Sequence, residues 1–517
     1  MSKPRRGALF VAILSAGASG VLAAPAAAET LADAIALAYQ SNPTLQAQRG
    51  TQRALDETYV QARSGYRPTL SVSASATYRE IDVPGAGGAI DTNGDGIPDT
   101  IGRGGTTIDR SGSTALVLNQ PVYTGGRVAA AVSAAQADIL TGRENLRRVE
   151  AQILAQVITA YVDVRRDQEA LRIRIEDQGV LQRQLDESRA RFEVGEITRT
   201  DVALSEARYA AAQSQAQVAQ AQLAISRASY TALVGQSPGD LAPEPSLAAL
   251  LPATVDGAFD VATENNAQIR AAEYAEQASR ARVAGARAER MPSVSLQGRL
   301  GFSGEVQPIE TDTWSRNITG TASVSVPLFS GGLTSSRIRQ QVERNNTDRI
   351  TIEVARRAVL QTVTQAWSQL ISSRANITST AEQVRAARIA AEGTRQEQQV
   401  GLRTTLDVLN AEQELRQAEL SQIAARHDEY VAAAAVVAAM GRLEAKNLTP
   451  TVPQYDPKTH FRGLRITWGW VPWEEPIAIV DGALTPKPVE KPVEGAIVAT
   501  PPIGVPAAPI ASTPPVQ

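Results

Sequence analysis

Acidic and amide side chains around position 95 have the spacing of an oxygen-rich cation loop. Three of them alternate along the chain, and Gly96 permits the sharp turn that such loops require. The twelfth position is Gly102, where a calcium-binding EF-hand has a bidentate Glu, so a full EF-hand is excluded. A shorter calcium loop remains open, beside a plain polar loop built on Asn-Gly and Asp-Gly turns. The candidate metal ligands are Asp91, Asn93, Asp95 and Asp99.

Other residues that could do chemistry are few. The chain contains no cysteine, which excludes disulfides, thiol nucleophiles, cysteine-ligated metals and a lipidated N-terminal cysteine. Its two histidines, His427 and His460, are not accompanied by a nucleophile in a catalytic pattern. The 51 Lys and Arg residues nearly balance 54 Asp and Glu residues, and this does not favour nucleic-acid binding. We therefore predict that the protein is not an enzyme and has no cofactor apart from the calcium ion considered above.

The two ends of the chain differ from its middle. Residues 1–28 predict a secretory signal peptide that is removed, because a basic start precedes a short apolar run and small residues at 26–28. A membrane anchor would need a longer apolar run. Residues 447–517 are predicted to be a tail without long helices, partly disordered, since they hold 14 of the 28 prolines. Three of its aromatic residues favour packing on helices over a belt at a membrane interface: Trp468, Trp470 and Trp473.

The middle of the chain is an internal duplication. Residues 31–42 match residues 255–266 at an offset of 224 positions, and Pro121-Val-Tyr-Thr-Gly-Gly matches Pro327-Leu-Phe-Ser-Gly-Gly at an offset of 206. The first copy therefore carries 18 extra residues, which lie in its Gly- and Asp-rich stretch. We predict a first repeat over 29–240, a linker over 241–254 and a second repeat over 255–446.

Each copy switches between two hydrophobic periods at matching places. Alternation of apolar and Ser/Thr residues predicts two strands per copy, over 66–82 and 110–121 and again over 291–304 and 315–328. Apolar residues three and four positions apart then predict a helix over 128–192, which would be a rod of roughly 100 Å. The second copy repeats this helix over 333–399. After a Val-Gly turn in each copy, a second helix runs back.

Four amphipathic strands cannot close a barrel, and open sheet edges are not tolerated in lipid. A membrane barrel would therefore need several chains. A soluble sheet packed on helices is the alternative, and four strands alone do not decide between the two. The signal peptide, the rods and the duplication favour an α+β membrane protein.

In this order the duplicated motifs resemble those of the TolC-like outer-membrane efflux protein family. They are Ser-Asn-Pro-Thr-Leu at 41–45, Tyr-Arg-Pro-Thr-Leu at 66–70, the two Gly-Gly segments above, and Val-Gly-Leu-Arg-Thr-Thr-Leu-Asp-Val-Leu-Asn at 400–410. The resemblance implies a homotrimer with a shared β-barrel of four strands per chain, continued by a long periplasmic α-helical barrel. It also implies outer-membrane lipid, a periplasmic adaptor protein and an inner-membrane transporter, ABC-type or proton-driven, as partners.

The resemblance further implies a gate at the helix turns. Thr200 and Asp201 match a pair that is linked across chains to an Arg, here Arg403, and Asp407 matches a carboxylate that forms a ring in the entrance. Asn410 stands where a second carboxylate is found in the family, and a gating aromatic is replaced by Gln398. The alternative is that Asp201 and Arg403 are ordinary solvated charges near helix starts.

We therefore predict a passive outer-membrane duct that exports proteins by type I secretion, or small molecules. The alternative is a periplasmic coiled-coil adaptor or scaffold of a secretion complex. Such a scaffold would share the long helices but not the alternating strands.

Overall fold

The computed structural model describes residues 28–83, 89–90, 100–101, 105–306, 314–464, 466–467, 469–483 and 485–491. The predicted calcium ligands Asp91, Asn93, Asp95 and Asp99, and the predicted signal peptide up to residue 27, lie outside these residues. The helices are α1 (Leu31–Ser41), α2 (Pro43–Arg63), α3 (Arg127–Glu193), α4 (Arg199–Val234), α5 (Val255–Asn265), α6 (Ala267–Ala288), α7 (Leu333–Gln399), α8 (Thr405–Ala439), α9 (Ala445–Leu448), α10 (Pro457–Gly463) and α11 (Glu474–Asp481). The strands are β1 (Thr69–Val83), β2 (Ala89–Ile90), β3 (Thr100–Ile101), β4 (Gly105–Tyr123), β5 (Ser293–Glu305) and β6 (Ser315–Ser325).

Four of the strands form one antiparallel sheet in the order β1-β4-β5-β6, two strands from each copy. Prolines set several of its limits, because proline cannot donate to the ladder. Strand β1 begins after Pro68 instead of at 66, and Ser64–Tyr66 is a short 3₁₀ helix. Strand β5 begins after Pro292, and β6 ends at Ser325, before Pro327, so the prediction of a strand to 328 was wrong. Strand β4 is longer than predicted at both ends.

The sheet has one apolar and one hydroxyl-rich face. Its register places Leu70 opposite Leu118 on β4, and Leu296 opposite Ala322 on β6. On the other face, hydroxyl groups meet across strands, as between Ser75 and Ser113 at 2.9 Å. The apolar face is nevertheless exposed to solvent: Val72, for example, is 73% exposed. This sheet is therefore not covered by the helices of its own chain.

Two long helices of equal length, α3 and α7, leave the sheet through Gly-Gly turns. Each has 67 residues, or about 100 Å at 1.5 Å per residue. The turns require positive φ, which is +89° at Gly126 and +85° at Gly332. Helices α4 and α8 run back beside them. In the part of the chain that the structure describes, no helix is both long and apolar enough to cross a membrane.

The main core lies partway along these helices, where both copies and the linker meet. Leu154 on α3 is fully buried there, and the ring of Tyr161 packs 6.4 Å from that of Tyr230. The Tyr161 hydroxyl donates to the carbonyl oxygens of Glu29 and Ala242, at 2.9 and 2.7 Å. These bonds attach the start of the first copy and the linker to α3.

The first part of the C-terminal tail packs on the body. The ring of Phe461 lies 5.0 Å from that of Tyr59 on α2. His460 contacts the buried carboxylate of Asp56 at 3.1 Å. The tail then continues to α11, which lies at the junction between the sheet and α3.

Candidate functional site

The site that the sequence predicts lies at the two turns where the long helices α3 and α7 end, away from the strands. Helix α3 ends at Glu193 and α4 begins at Arg199, while α7 ends at Gln399 and α8 begins at Thr405. In each turn a glycine adopts a φ of +79°, Gly195 in the first copy and Gly401 in the second. An αL glycine after a helix is the usual way to end it. The two copies therefore build the same turn from the same local chemistry.

Both turns continue into a capping box. The Oδ2 atom of Asp201 accepts hydrogen bonds from the backbone N and the Oγ1 of Thr198, at 3.0 and 2.8 Å. Asp407 accepts the same two bonds from Thr404, at the same distances. The capping Thr in turn accepts from the backbone N of each Asp. Both carboxylates therefore stabilise the helix starts in addition to any role in a gate.

These hydrogen bonds also set the ionisation of the two carboxylates. The bonds from the side chain and the backbone of Thr198 lower the pKa of Asp201. The backbone and side-chain bonds from Thr404, with a smaller contribution from the charge of Arg403, lower the pKa of Asp407. Both groups are therefore ionised at neutral pH.

Arg403 lies between the last turn of α7 and the first turn of α8. Its Nε lies 2.8 Å from Oε2 of Glu397, and this bond raises the pKa of the guanidinium above its ordinary value. Within the described part of the chain, Arg403 and Asp201 do not pair with each other. Thr200 is exposed at the start of α4. The predicted link across chains therefore stays a prediction.

The two positions that depart from the family pattern have partners within the chain. Gln398 is buried, and its amide lies 3.5 Å from the hydroxyl of Thr405 across the turn. Asn410 accepts a hydrogen bond at 3.1 Å from Arg208 on α4, which also donates to Gln413. Gln398 and Asn410 therefore fix the turn and join the two hairpins. Sequence reasoning missed Arg208 because it lies 202 positions from its partner.

A second feature that sequence reasoning missed is a charged cluster between α3, α7 and α8, close to the turns. Glu412 is buried and pairs with Arg395 on α7. Arg416 lies 2.8 Å from Glu419 and 3.9 Å from Asp177 on α3. Burial raises the pKa of Asp177, although the charge of Arg416 opposes this. The spacing of residues 412, 416 and 419 on one face of α8 was the available signal.

Within the part of the chain that the structure describes, the histidines give no second site. Among the described residues, no group of three or more His, Asp or Glu side chains could hold a metal ion. His427 lies 2.9 Å from Asp163 on α3 and 2.9 Å from Asp428, an arrangement that joins α8 to α3. The calcium loop at 91–99 stays a prediction.

Solved structures show the same fold. The chain superposes on the outer-membrane channel OprN with a TM-score of 0.67 and 22% identity, over 80% of this chain and 89% of OprN. It superposes on the open state of the MtrE outer membrane channel of Neisseria gonorrhoeae with a TM-score of 0.65 and 21% identity, over 80% of this chain and 90% of MtrE. The fold is therefore that of an outer-membrane channel, and the predicted fold class is confirmed.

Sequence comparison identifies the family. The model of the outer membrane efflux protein family matches residues 34–236 and 258–442. Outer membrane efflux protein BepC of Brucella suis is 32% identical over 446 residues, which cover 86% of this chain and 92% of BepC. Alkaline protease secretion protein AprF of Pseudomonas aeruginosa is 29% identical over 303 residues, 56% of this chain and 62% of AprF. The chain belongs to the outer membrane efflux protein family.

The protein is thus an outer-membrane exit channel, as predicted from its sequence. The alternative of a periplasmic scaffold predicted long helices without alternating strands. The paired strands and the family both speak against that alternative.

Proposed function

We propose that three copies of the chain assemble into one channel, with a closed β-barrel in the outer membrane and a helical barrel in the periplasm. The sheet supports this proposal, because β1 and β6 are edge strands in the described chain and an open edge is costly in lipid. Pairing β6 of one chain with β1 of the next chain would leave no unpaired strand edge. Residues 1–28 would direct export and be removed.

The helix turns would be the gate of this channel. Asp201 uses one oxygen for its cap and Arg403 uses Nε for Glu397, so each has further capacity for hydrogen bonding. An Arg fork on the carboxylate of a neighbouring copy would hold the turns together at the entrance. Thr200 would add a hydroxyl beside that pair. The matched turns at the ends of two 67-residue helices are the observation that carries this assignment.

The same turns would select ions. The pKa of Asp407 is lowered, so three copies on one axis would form a ring of negative charge. Such a ring attracts cations and repels anions. Asn410 carries no charge and is occupied by Arg208, so it would not form a second ring.

Transport through this duct would be driven from the inner membrane. We infer that an ABC-type or proton-driven transporter delivers cargo through a periplasmic adaptor that opens the turns. Relatives are named for two processes, efflux for BepC and alkaline protease secretion for AprF. Deleting the protein, then comparing exported proteins with drug sensitivity, would distinguish the two.

The gate is tested by conductance in planar bilayers. We expect Arg403→Ser, alone or with Asp201→Ala, to raise single-channel conductance, because the link across chains is lost. Arg385→Ser on α7 is the matched control, since Arg385 is likewise an exposed arginine paired with a carboxylate, Glu382, but lies about four turns from the gate. Equal conductance of the Arg403 variants and the wild type would contradict the gate assignment.

A further inference from the structure

Helix α11 of the C-terminal tail is fixed to the sheet end of the first copy by two buried carboxylates. Glu474 has no exposed surface, and its oxygens lie 2.6 Å from Arg63 Nε and 2.9 Å from Arg67 Nε. Arg63 is the last residue of α2, and Arg67 lies two residues before β1. A buried carboxylate shared by two guanidinium groups holds its helix in one geometry.

The second carboxylate, Asp481, closes the other end of α11. It accepts hydrogen bonds from the backbone N of Thr124 at 2.7 Å and of Gly126 at 3.0 Å, and from the hydroxyl of Tyr66 at 3.3 Å. The two backbone N–H groups stand at the start of α3, where Gly126 has no side chain to cap the helix. Asp481 therefore serves as the cap of α3 and fixes α11 beneath the sheet.

This attachment places the start of α11 against the apolar face of the sheet. The indole N–H of Trp473 donates to Gln120 at 3.1 Å. Val471 and Trp473 line a cleft together with residues of β4, β5 and β6 at the end of the sheet nearest the helices. Most of these residues lie on the apolar face that carries Leu70 and Val72. Among these cleft residues are Leu118, Leu296 and Ala322. The tail thus continues the apolar face of the sheet on the side toward the helices.

The same segment also exposes several large apolar side chains. Ile479 and Val480 on α11 are 73% and 63% exposed. Ile466, Trp470 and Trp473 are also exposed. We call these five residues the anchor segment. Large apolar side chains grouped in so short a stretch indicate a surface that something covers.

We propose that the anchor segment inserts into the periplasmic leaflet of the outer membrane, at the level of the lipid headgroups. Continuity carries this proposal, because the segment extends the face of the sheet that lies in lipid in a channel of this family. Tryptophan suits this depth, since its ring is apolar and its N–H is polar. Tyr78 and Phe302 lie on the same face near its far end, so the tail would complete the second of two aromatic girdles. The proposal uses only the membrane position of the sheet and does not depend on the gate.

Tryptophan fluorescence in vesicles tests the anchor. The full chain would be reconstituted in vesicles of phosphatidylethanolamine and phosphatidylglycerol that contain brominated phosphatidylcholine. The emission of Trp470 and Trp473 is obtained by subtracting the emission of the Trp470→Phe/Trp473→Phe variant from that of the wild type. We expect the bromines to quench this difference emission. Bromines near the headgroup should quench it more than bromines deep in the acyl chain. Trp367→Phe on α7 is the control, and the emission lost with it should not be quenchable by lipid.

Two results would overturn the proposal. One is that the emission from Trp470 and Trp473 is unaffected by brominated lipid at either depth. The other is that Ile479→Asn/Val480→Asn separates the assembled trimer into single chains. That result would mean that the segment packs against a neighbouring chain and not against lipid. Conductance of the wild type in the same preparation distinguishes failure of this proposal from failure of the proposed channel. If the protein conducts but its Trp470 and Trp473 emission is not quenched, only the anchor proposal is wrong.

Discussion

The two copies contain helices of equal length in different surroundings. Of the 67 residues in α3, 25 are buried, whereas α7 buries only 11 of its 67. Helix α3 packs against α2, α4, α6 and α8, and the tail crosses its start. Helix α7 packs mainly on α6 and α8, and apolar side chains such as Ile350 and Ile371 stay exposed. One sequence pattern thus gives a core helix in the first copy and an open helix in the second.

The junctions with the sheet show the same contrast. A Cβ at Gly126 would meet the carbonyl oxygen of Asp481 at 3.4 Å, whereas a Cβ at Gly332 would meet nothing within 4 Å. Leu328 and Phe329, just before Gly332, are more than nine-tenths exposed. The difference teaches that the first copy is completed by its own chain. In the proposed trimer, the second copy would be completed by a neighbouring chain.

The largest expected effect tests the contrast in packing with a single substitution made in both copies. Leu154 on α3 is fully buried, and Leu360 is its equivalent on α7 at the 206 offset, where it is partly exposed. Leu154→Ala should lower the free energy of unfolding by about 2–5 kcal/mol, because it removes buried contacts and leaves a cavity. Leu360→Ala should cost about 1–2 kcal/mol, since less area is lost from the core.

Guanidinium unfolding followed by circular dichroism, in detergent that keeps the chains apart, would measure both. In the assembled trimer, the losses in unfolding free energy from Leu154→Ala and Leu360→Ala should become more similar. Equal losses in separate chains would break the contrast between α3 and α7.

A smaller effect tests the contrast at the junctions. Asp481→Ala removes the carboxylate that caps α3 and leaves the backbone N–H groups of Thr124 and Gly126 without it. We expect a loss of about 1–3 kcal/mol in the free energy of unfolding. Glu475→Ala on the same helix is the control. Its side chain is 58% exposed, and an exposed ion pair contributes at most about 1 kcal/mol. Matching losses in the two variants would mean that the cap does not stabilise the junction.

The smallest effect concerns the contact of His427 on α8, in the second repeat, with Asp163 on α3, in the first repeat. Burial acts to lower the pKa of His427, but hydrogen bonds to Asp163 and Asp428 outweigh it and the pKa is raised. Arg166 opposes this shift with its positive charge. Because the folded pKa lies above the unfolded value of about 6.5, the stabilisation is complete below that pH. It is lost as the pH rises through the folded pKa.

The midpoint of thermal unfolding, measured from pH 6 to 9 (roughly the range in which histidine titrates), should therefore fall with pH in the wild type. His427→Gln should flatten this dependence. Arg374→Gln is the matched control, because it breaks a contact between α7 and α8, with Glu429 at 3.2 Å, that contains no histidine. A wild-type slope that persists in His427→Gln would assign the pH dependence to other groups.

Features that depend on local periodicity could be predicted from the sequence. The strands follow from alternation, the long helices from spacings of three and four, and the turns from Val-Gly and Gly-Gly pairs. The gate residues were placed by family resemblance, and the structure gives all of them a position at the turns. The pair of capping boxes, Thr198 with Asp201 and Thr404 with Asp407, also has a local signal, a Thr three positions before an Asp at a helix start.

Contacts between distant parts of the chain could not be predicted. Nothing near Asn410 indicates that Arg208 is its partner, and nothing near Asp481 indicates that it caps a helix that begins more than 350 residues earlier. Local propensity carries no information on such pairs. The same limit explains why the tail was expected only to pack on helices, whereas it also reaches the sheet.

The cap on α3 has a consequence for the order in which the protein is completed. The acceptor, Asp481, follows the first of its backbone donors, Thr124, by 357 residues. A ribosome makes the chain from the N-terminus, so both strands of the first copy exist long before this acceptor does. Until then, the first junction is as bare as the second. The junction between the sheet and α3 can therefore reach its final form only after residue 481 has been made, and a chain that stops before that residue lacks the acceptor.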